Sequence, residues 1–158
     1  MDEKISWSIG FVLIVMVLCV VKPNAGRIFL GIFYMIMAIG VNLVNAFTNP
    51  EPTIQMGKSS LLGFYRTLFT DVVSKAPVAF ILLVALFELS MGFLILGSHQ
   101  KVKLGLIGTT IFLILITPFG YVQLPWLGIA AIQLYLVRKD FDRTFFEIIA
   151  PAFRRTSN

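Results

Sequence analysis

The residue best suited to chemistry in this sequence is Glu88, which lies near the middle of the apolar stretch 76–97. An ionised carboxylate in the hydrocarbon region of a membrane is penalised by a few kcal/mol, so Glu88 is expected to face protein rather than lipid. Ala85 precedes it by three residues and Gly92 follows it by four. These small residues share its helix face and allow the close approach of a second helix.

Two roles are open for Glu88. In the first, the side chain binds a ligand or carries a proton, as ionisable groups inside membranes often do. In the second, it is protonated and joins helices through a hydrogen bond. The candidate partners on other apolar segments are Asn42, Asn45, Thr109, Thr110 and Gln133. For these amides and hydroxyls, hydrogen bonding between helices is the simpler interpretation.

Arg66 and Tyr34 complete the set of candidate ligand-binding or proton-carrying residues. Arg66 lies on an amphipathic segment and is the cation best placed to approach the outer mouth of a helical bundle. Tyr34 belongs to a group of aromatic residues near predicted helix ends or bundle faces, together with Tyr121, Trp126 and Tyr135. Anchoring at the membrane interface is the simpler role for such side chains.

Other catalytic chemistry finds little support in the residues. His99 is the single histidine, so neither a metal site nor a histidine-based triad is predicted. Cys19 is the single cysteine and cannot form a disulfide within the chain. Glycine-rich nucleotide motifs and a haem-attachment motif are missing from the sequence. We therefore predict no catalytic residues, and an enzymatic role is disfavoured.

The composition indicates the class of protein that must position these residues. Of 158 residues, 58% are hydrophobic and 13% are charged, and the mean hydropathy is +0.89. Such a chain is predicted to be all-α, an integral membrane helical bundle forming one membrane domain over residues 1–158. The net charge of +5 comes from basic residues that flank apolar segments. A lipid bilayer accounts for this pattern better than nucleic acid does.

The apolar stretches predict four core transmembrane helices preceded by an N-terminal helix. The predicted segments are residues 5–21, 28–47, 76–97, 104–118 and 121–138. Residues 104–137 carry no charge and are too long for one straight span, so a break is placed at Pro118 and Gly120. Small and polar residues recur every three or four positions in the second segment and predict a face that points into the bundle. They are Gly31, Met35, Ala38, Asn42 and Asn45.

Two further segments, 60–75 and 139–150, alternate apolar and polar residues at helical period and predict interfacial amphipathic helices. With five spans, nine basic residues fall on the side that holds the C-terminal tail and four on the other. The positive-inside rule therefore places the C-terminus in the cytoplasm. The basic residues also divide nine to four if 104–137 is one broken span. The choice between four and five spans therefore stays open.

Two groups of residues give the chain a family resemblance. Arg27 opens an apolar helix with Leu30, Gly31 and Phe33, and a later helix carries Glu88, Gly92 and Gly97 before a basic turn at Lys101 and Lys103. Over about residues 27–138 this pattern resembles the DoxX-like membrane proteins. The resemblance implies a four-helix membrane bundle, and members include subunits of quinone-linked oxidoreductases, redox-homeostasis complexes and membrane chaperones. The segment before Arg27 and the insert at 59–75 depart from the family pattern.

The leading hypothesis from the sequence is a non-catalytic small membrane subunit or scaffold. Its pocket around Glu88 would take a lipid-like ligand, with a quinone as a candidate cofactor, or a membrane or peripheral protein partner. The alternative is a small proton-coupled transporter in which Glu88 exchanges a proton for substrate, acting as an oligomer or alone. An enzyme of this kind would be a subunit of a quinone-linked membrane oxidoreductase, as the resemblance implies.

Overall fold

The computed structural model describes residues 3–155, and its regular structure in that range is entirely helical. The described helices are α1 (Glu3–Val21), α2 (Pro23–Ile36), α3 (Val44–Thr48), α4 (Glu51–Lys58), α5 (Gly63–Asp71), α6 (Pro77–Leu96), α7 (Gln100–Ile116), α8 (Trp126–Val137) and α9 (Phe145–Arg155). A π-helical segment, Met37–Leu43, joins α2 to α3, and short 3₁₀ turns occupy Val73–Lys75, Thr117–Phe119 and Tyr121–Gln123. The all-α prediction is confirmed.

The longer helices pack in a closed ring in the described part of the chain. In order around the ring they are α1, α2 with its π-helical segment, α6, α7 and α8, and α8 packs back against α1. Each contributes buried side chains to the interior, for example Val15, Leu30, Ile95, Leu106 and Ile129. The N-terminal helix α1, which was expected to precede a four-helix core, is therefore one of the five helices of the ring.

Three helical stretches in the described residues are long and apolar enough to cross a membrane. They are Pro23–Thr48, Pro77–Leu96 and Gln100–Phe119, whereas the apolar helices Ile5–Val21 and Tyr121–Val137 are shorter. The chain breaks between α7 and α8 where proline and glycine predicted it, at the two 3₁₀ turns around Gly120. The α8 helix itself begins only at Trp126, because Pro125 stands at its N-cap.

The predicted amphipathic helix 60–75 is shorter in the structure. The α5 helix begins at Gly63, because Ser60 and Leu61 are bound to the turn that follows α7. The Ser60 hydroxyl donates to the carbonyl of Pro118 over 2.7 Å, and the N–H of Leu61 donates to the same oxygen over 2.8 Å. The sequence analysis also missed α4, which has Pro52 in its first turn, where the absent N–H costs no hydrogen bond. The insert at 59–75 is therefore packed against the bundle.

The second amphipathic helix also has other bounds than the predicted 139–150. The α9 helix starts at Phe145, after an irregular segment, and continues through Pro151, so both predicted ends are wrong. Its start is determined by a reciprocal capping box. The Thr144 hydroxyl accepts from the N–H of Glu147 over 3.3 Å, and the Glu147 carboxylate accepts from the N–H of Thr144 over 2.7 Å. The end of the tail, on which the cytoplasmic prediction for the C-terminus falls, lies outside the described residues.

We expect Thr144→Val to fray the start of α9. The backbone N–H and the hydroxyl of Thr144 hold the pKa of Glu147 below its usual range in the folded protein. The stability from this contact is therefore present above the unfolded-state pKa and is lost as the pH falls through the lowered folded-state pKa. Valine removes the hydroxyl, so the Glu147 pKa should rise and amide exchange in the first turn should accelerate about fivefold.

Carbon-13 titration of the Glu147 carboxyl and hydrogen exchange measure the two effects. Thr144→Ser retains the hydroxyl and is the matched control, so it should leave both readouts nearly unchanged. A valine variant with the native Glu147 pKa would show that the hydroxyl has no part in the cap.

Candidate functional site

A chain of polar side chains crosses the interior of the bundle and joins three helices. Gln133 of α8 donates from its amide nitrogen to the hydroxyl of Tyr34 on α2 over 2.8 Å. Its amide oxygen accepts from the hydroxyl of Thr110 on α7 over 3.1 Å. All three side chains are buried. We call these three side chains the Tyr34 layer. Because the Gln133 amide is hydrogen-bonded at both ends, the Tyr34 layer determines how α2, α7 and α8 are rotated against one another.

Thr109 adjoins this polar layer. Its hydroxyl donates to the carbonyl of Gly105 over 2.9 Å and lies 3.2 Å from that of Leu106. It also interacts with the Tyr34 hydroxyl, which in turn lies within electrostatic range of Glu88. Four of the residues singled out from the sequence therefore meet in one place: Tyr34, Thr109, Thr110 and Gln133.

Glu88 lies in a second polar contact, between α6 and the π-helical segment. Its side chain is 4% exposed, and its carboxylate accepts from the amide of Asn42 over 2.6 Å. The small-residue face predicted for α6 is the face that meets α2, since Gly92 packs directly on Gly31. The structure thus selects Asn42 from the candidate partners of Glu88. The extra backbone bulge of a π-helix, frequent at functional sites, occurs at this point.

Two other candidate residues take no part in these contacts. Asn45 is half-buried, and among the described residues its side chain has no hydrogen bond to Glu88 or to the Tyr34 layer. Arg66 is exposed on α5, at the end of the bundle where the insert docks beside Pro118. Neither residue therefore belongs to the hydrogen-bonded contacts around Glu88 and Tyr34.

The structure reveals a further polar site at Arg27, which the sequence analysis treated only as a helix opening. The side chain is 0% exposed. Its guanidinium donates to the carbonyls of Ile95 over 3.0 Å and Gly97 over 2.8 Å, at the C-terminal end of α6, and to the carbonyl of Arg143. The last carbonyls of a helix have no partner within the helix and carry partial negative charge. Arg27 satisfies two of them with one cation.

The segment between α8 and α9 completes the surroundings of Arg27. The guanidinium carbon lies 4.8 Å from the ring centre of Phe141, in a cation–π contact. Phe141 is buried, and its carbonyl accepts from the N–H of His99 over 2.7 Å. No sequence signal marked this contact, because an arginine at the start of an apolar helix is typical of membrane interfaces. Its burial depends on residues more than a hundred positions later in the chain.

An apolar groove of about 720 Å³ opens on the outside of α2 and α6 and runs up to the start of α9. Ile32, Ile36 and Phe93 line its walls, and Thr144 lies at its outer end. Its inner end is Gly40, two residues before Asn42, or about 3 Å along the helix axis. Glu88 itself does not line the groove, so the groove lies beside the buried carboxylate rather than around it.

No group of three histidine, cysteine, aspartate or glutamate side chains in the described residues is arranged to hold a metal ion. No family model matches the chain, and no curated protein or solved structure matches it significantly. The fold and the site themselves define the class: the described residues form an all-helical bundle with three helices long enough to span a membrane, three buried polar sites at Glu88, Gln133 and Arg27, and an apolar groove.

Proposed function

We propose that this chain is a non-catalytic, multi-pass integral membrane subunit or scaffold that holds a lipid-like molecule in the groove between α2 and α6. The observation that carries the proposal is the groove itself, whose volume of about 720 Å³ lies within the range of small-molecule sites. Its apolar walls suit a hydrocarbon chain. The resemblance to DoxX-like proteins makes a quinone one candidate ligand, and the distribution of basic residues favours a cytoplasmic C-terminus.

The polar layers support a scaffold rather than an enzyme. Gln133 has both ends of its amide hydrogen-bonded, to Tyr34 and to Thr110, so its contacts are made between helices. Such fully bonded networks stabilise one arrangement of helices. The same bundle could present its exposed faces to a membrane or peripheral protein partner, or to a second copy of itself.

We expect Ile36→Trp to abolish retention of the lipid-like molecule. Ile36 lines the groove and is 59% exposed, so an indole there would occupy the space without disturbing the core. Leu86 on α6 is 61% exposed and does not line the groove, which makes Leu86→Trp a matched control. Native mass spectrometry of gently extracted protein should show at least a tenfold loss of bound lipid in the first variant and wild-type retention in the second. Equal retention in both would refute the proposed site.

The second candidate function is a proton-coupled transporter, and the contact between Asn42 and Glu88 favours it. A buried carboxylate facing a π-helical segment is an arrangement in which a proton could be taken up and released. Glutamine in place of Glu88 retains the hydrogen bond to Asn42 but cannot titrate.

For a scaffold, we expect Glu88→Gln to leave thermal stability and lipid retention nearly unchanged. A transporter would lose its pH-driven flux in the same variant. Reconstituted vesicles with an imposed pH gradient separate the two functions. Flux in the wild type that disappears in Glu88→Gln would replace the scaffold proposal, whereas flux that persists in the variant rules out Glu88 as the proton carrier.

A further inference from the structure

The groove between α2 and α6 is asymmetric along its length. Its inner end, at Gly40 and Phe93, contains no polar side chain. Its outer end is formed by Gly97, which follows α6, and by Thr144, which caps the start of α9. A molecule with one polar end and one apolar end would therefore lie in it with the polar end outward, beside the Arg27 contact.

The outer end of the groove is bordered by two exposed cations. Arg143 directly precedes Thr144, and Lys101 lies beside Gly97, where an added Cβ would be 3.3 Å from the Cβ of Lys101. Among the described residues, neither cation has a carboxylate within salt-bridge distance; the ion pair at this end joins Lys103 to another side chain. Arg143 and Lys101 are thus available to an anion at the mouth of the groove.

Three acidic side chains lie at the same end. Asp140 pairs with Lys103 over 3.1 Å, and Asp142 interacts electrostatically with Arg27. Glu147 accepts from both the N–H and the hydroxyl of Thr144, and its charge interacts with that of Arg143. The four basic side chains Arg27, Lys101, Lys103 and Arg143 outnumber these three carboxylates, so the charge at the mouth stays positive, and a basic residue near a membrane surface attracts anionic lipid.

From this geometry we infer that the occupant of the groove is an anionic glycerophospholipid, with an acyl chain along α2 and α6 and its phosphate between Arg143 and Lys101. The inference rests on the proposed lipid-holding function and specifies its ligand. The ring of a quinone is uncharged and would gain little from the two cations at the mouth, whereas an anionic phospholipid meets the groove with matching polarity at both ends.

The test uses the full chain in nanodiscs that contain equal amounts of phosphatidylglycerol and phosphatidylcholine. After gentle extraction, native mass spectrometry counts the lipid of each class that stays bound. We expect the wild type to retain phosphatidylglycerol about thirtyfold over phosphatidylcholine, because each of the two nearby basic residues contributes about 1 kcal/mol. Arg143→Gln leaves Lys101 in place and should reduce that ratio to about fivefold while one lipid stays bound. Arg66→Gln removes an exposed arginine at the opposite end and should retain the wild-type ratio.

Three other outcomes would contradict the anionic ligand, the choice of a phospholipid or the groove itself. Equal retention of the two lipids by the wild type would refute the anionic ligand but leave the lipid site intact. Displacement of phosphatidylglycerol by added ubiquinone at equal concentration would assign the groove to a quinone. Undiminished lipid retention in Ile36→Trp would refute the groove as a lipid site altogether, and with it the proposed function.

Discussion

Replacing Arg27 with methionine is expected to lower the free energy of unfolding by about 2–6 kcal/mol, because two buried carbonyls lose their donor. Methionine has a similar length and no donors. The carbonyls of Ile95 and Gly97 would then stay buried without their partner, and each such loss costs roughly 1–3 kcal/mol. The segment around Phe141 would also lose its contact with α2.

Arg27→Lys should recover only part of this stability. An ammonium group is a point charge and cannot reproduce the fork that reaches Ile95, Gly97 and Arg143 together. Denaturant titration of detergent-solubilised protein measures the difference, and the exposed Arg66→Met is the control for removing a positive charge. If Arg27→Met unfolded at the same denaturant concentration as Arg66→Met, the three carbonyl contacts would have no role in stability.

Gly92→Ala is the second change with a large expected effect. A Cβ at Gly92 would lie 2.9 Å from the carbonyl oxygen of Gly31 and 2.7 Å from Cγ of Met35. The Met35 side chain can move, but the Gly31 carbonyl belongs to the backbone, so α2 and α6 would have to separate. Overpacking of this kind typically costs about 1–3 kcal/mol, which outweighs the gain in helix propensity of about 1 kcal/mol.

The matched control is Gly10→Ala in α1, where an added Cβ would meet no atom within 4 Å. There only the propensity gain applies, so thermal stability should rise slightly. The two substitutions are chemically identical and should change stability in opposite directions. A Gly92→Ala protein as stable as Gly10→Ala would mean that α2 and α6 are not in close contact. Separated helices would also weaken the bond from Asn42 to Glu88, which provides a second readout.

The local sequence pattern was sufficient to predict much of the helical architecture. The helix 77–96 was predicted within one residue at each end, and the break between α7 and α8 falls where Pro118 and Gly120 indicated. The amphipathic segments were less accurately predicted. Their ends depend on side chains such as Ser60 and Thr144, whose hydrogen bonds could be made in several ways until the rest of the fold is present.

The helical character of the chain, its apolar stretches and its small-residue faces could be predicted from local sequence, because they depend on neighbours three or four positions apart. Which groups meet could be seen only in the folded bundle. Asn42 and Glu88 are 46 residues apart, Tyr34 and Gln133 are 99 apart, and Arg27 reaches a carbonyl 116 residues away. Such contacts depend on how each helix is rotated when the ring closes, and helical periodicity specifies a face without specifying the partner that will cover it.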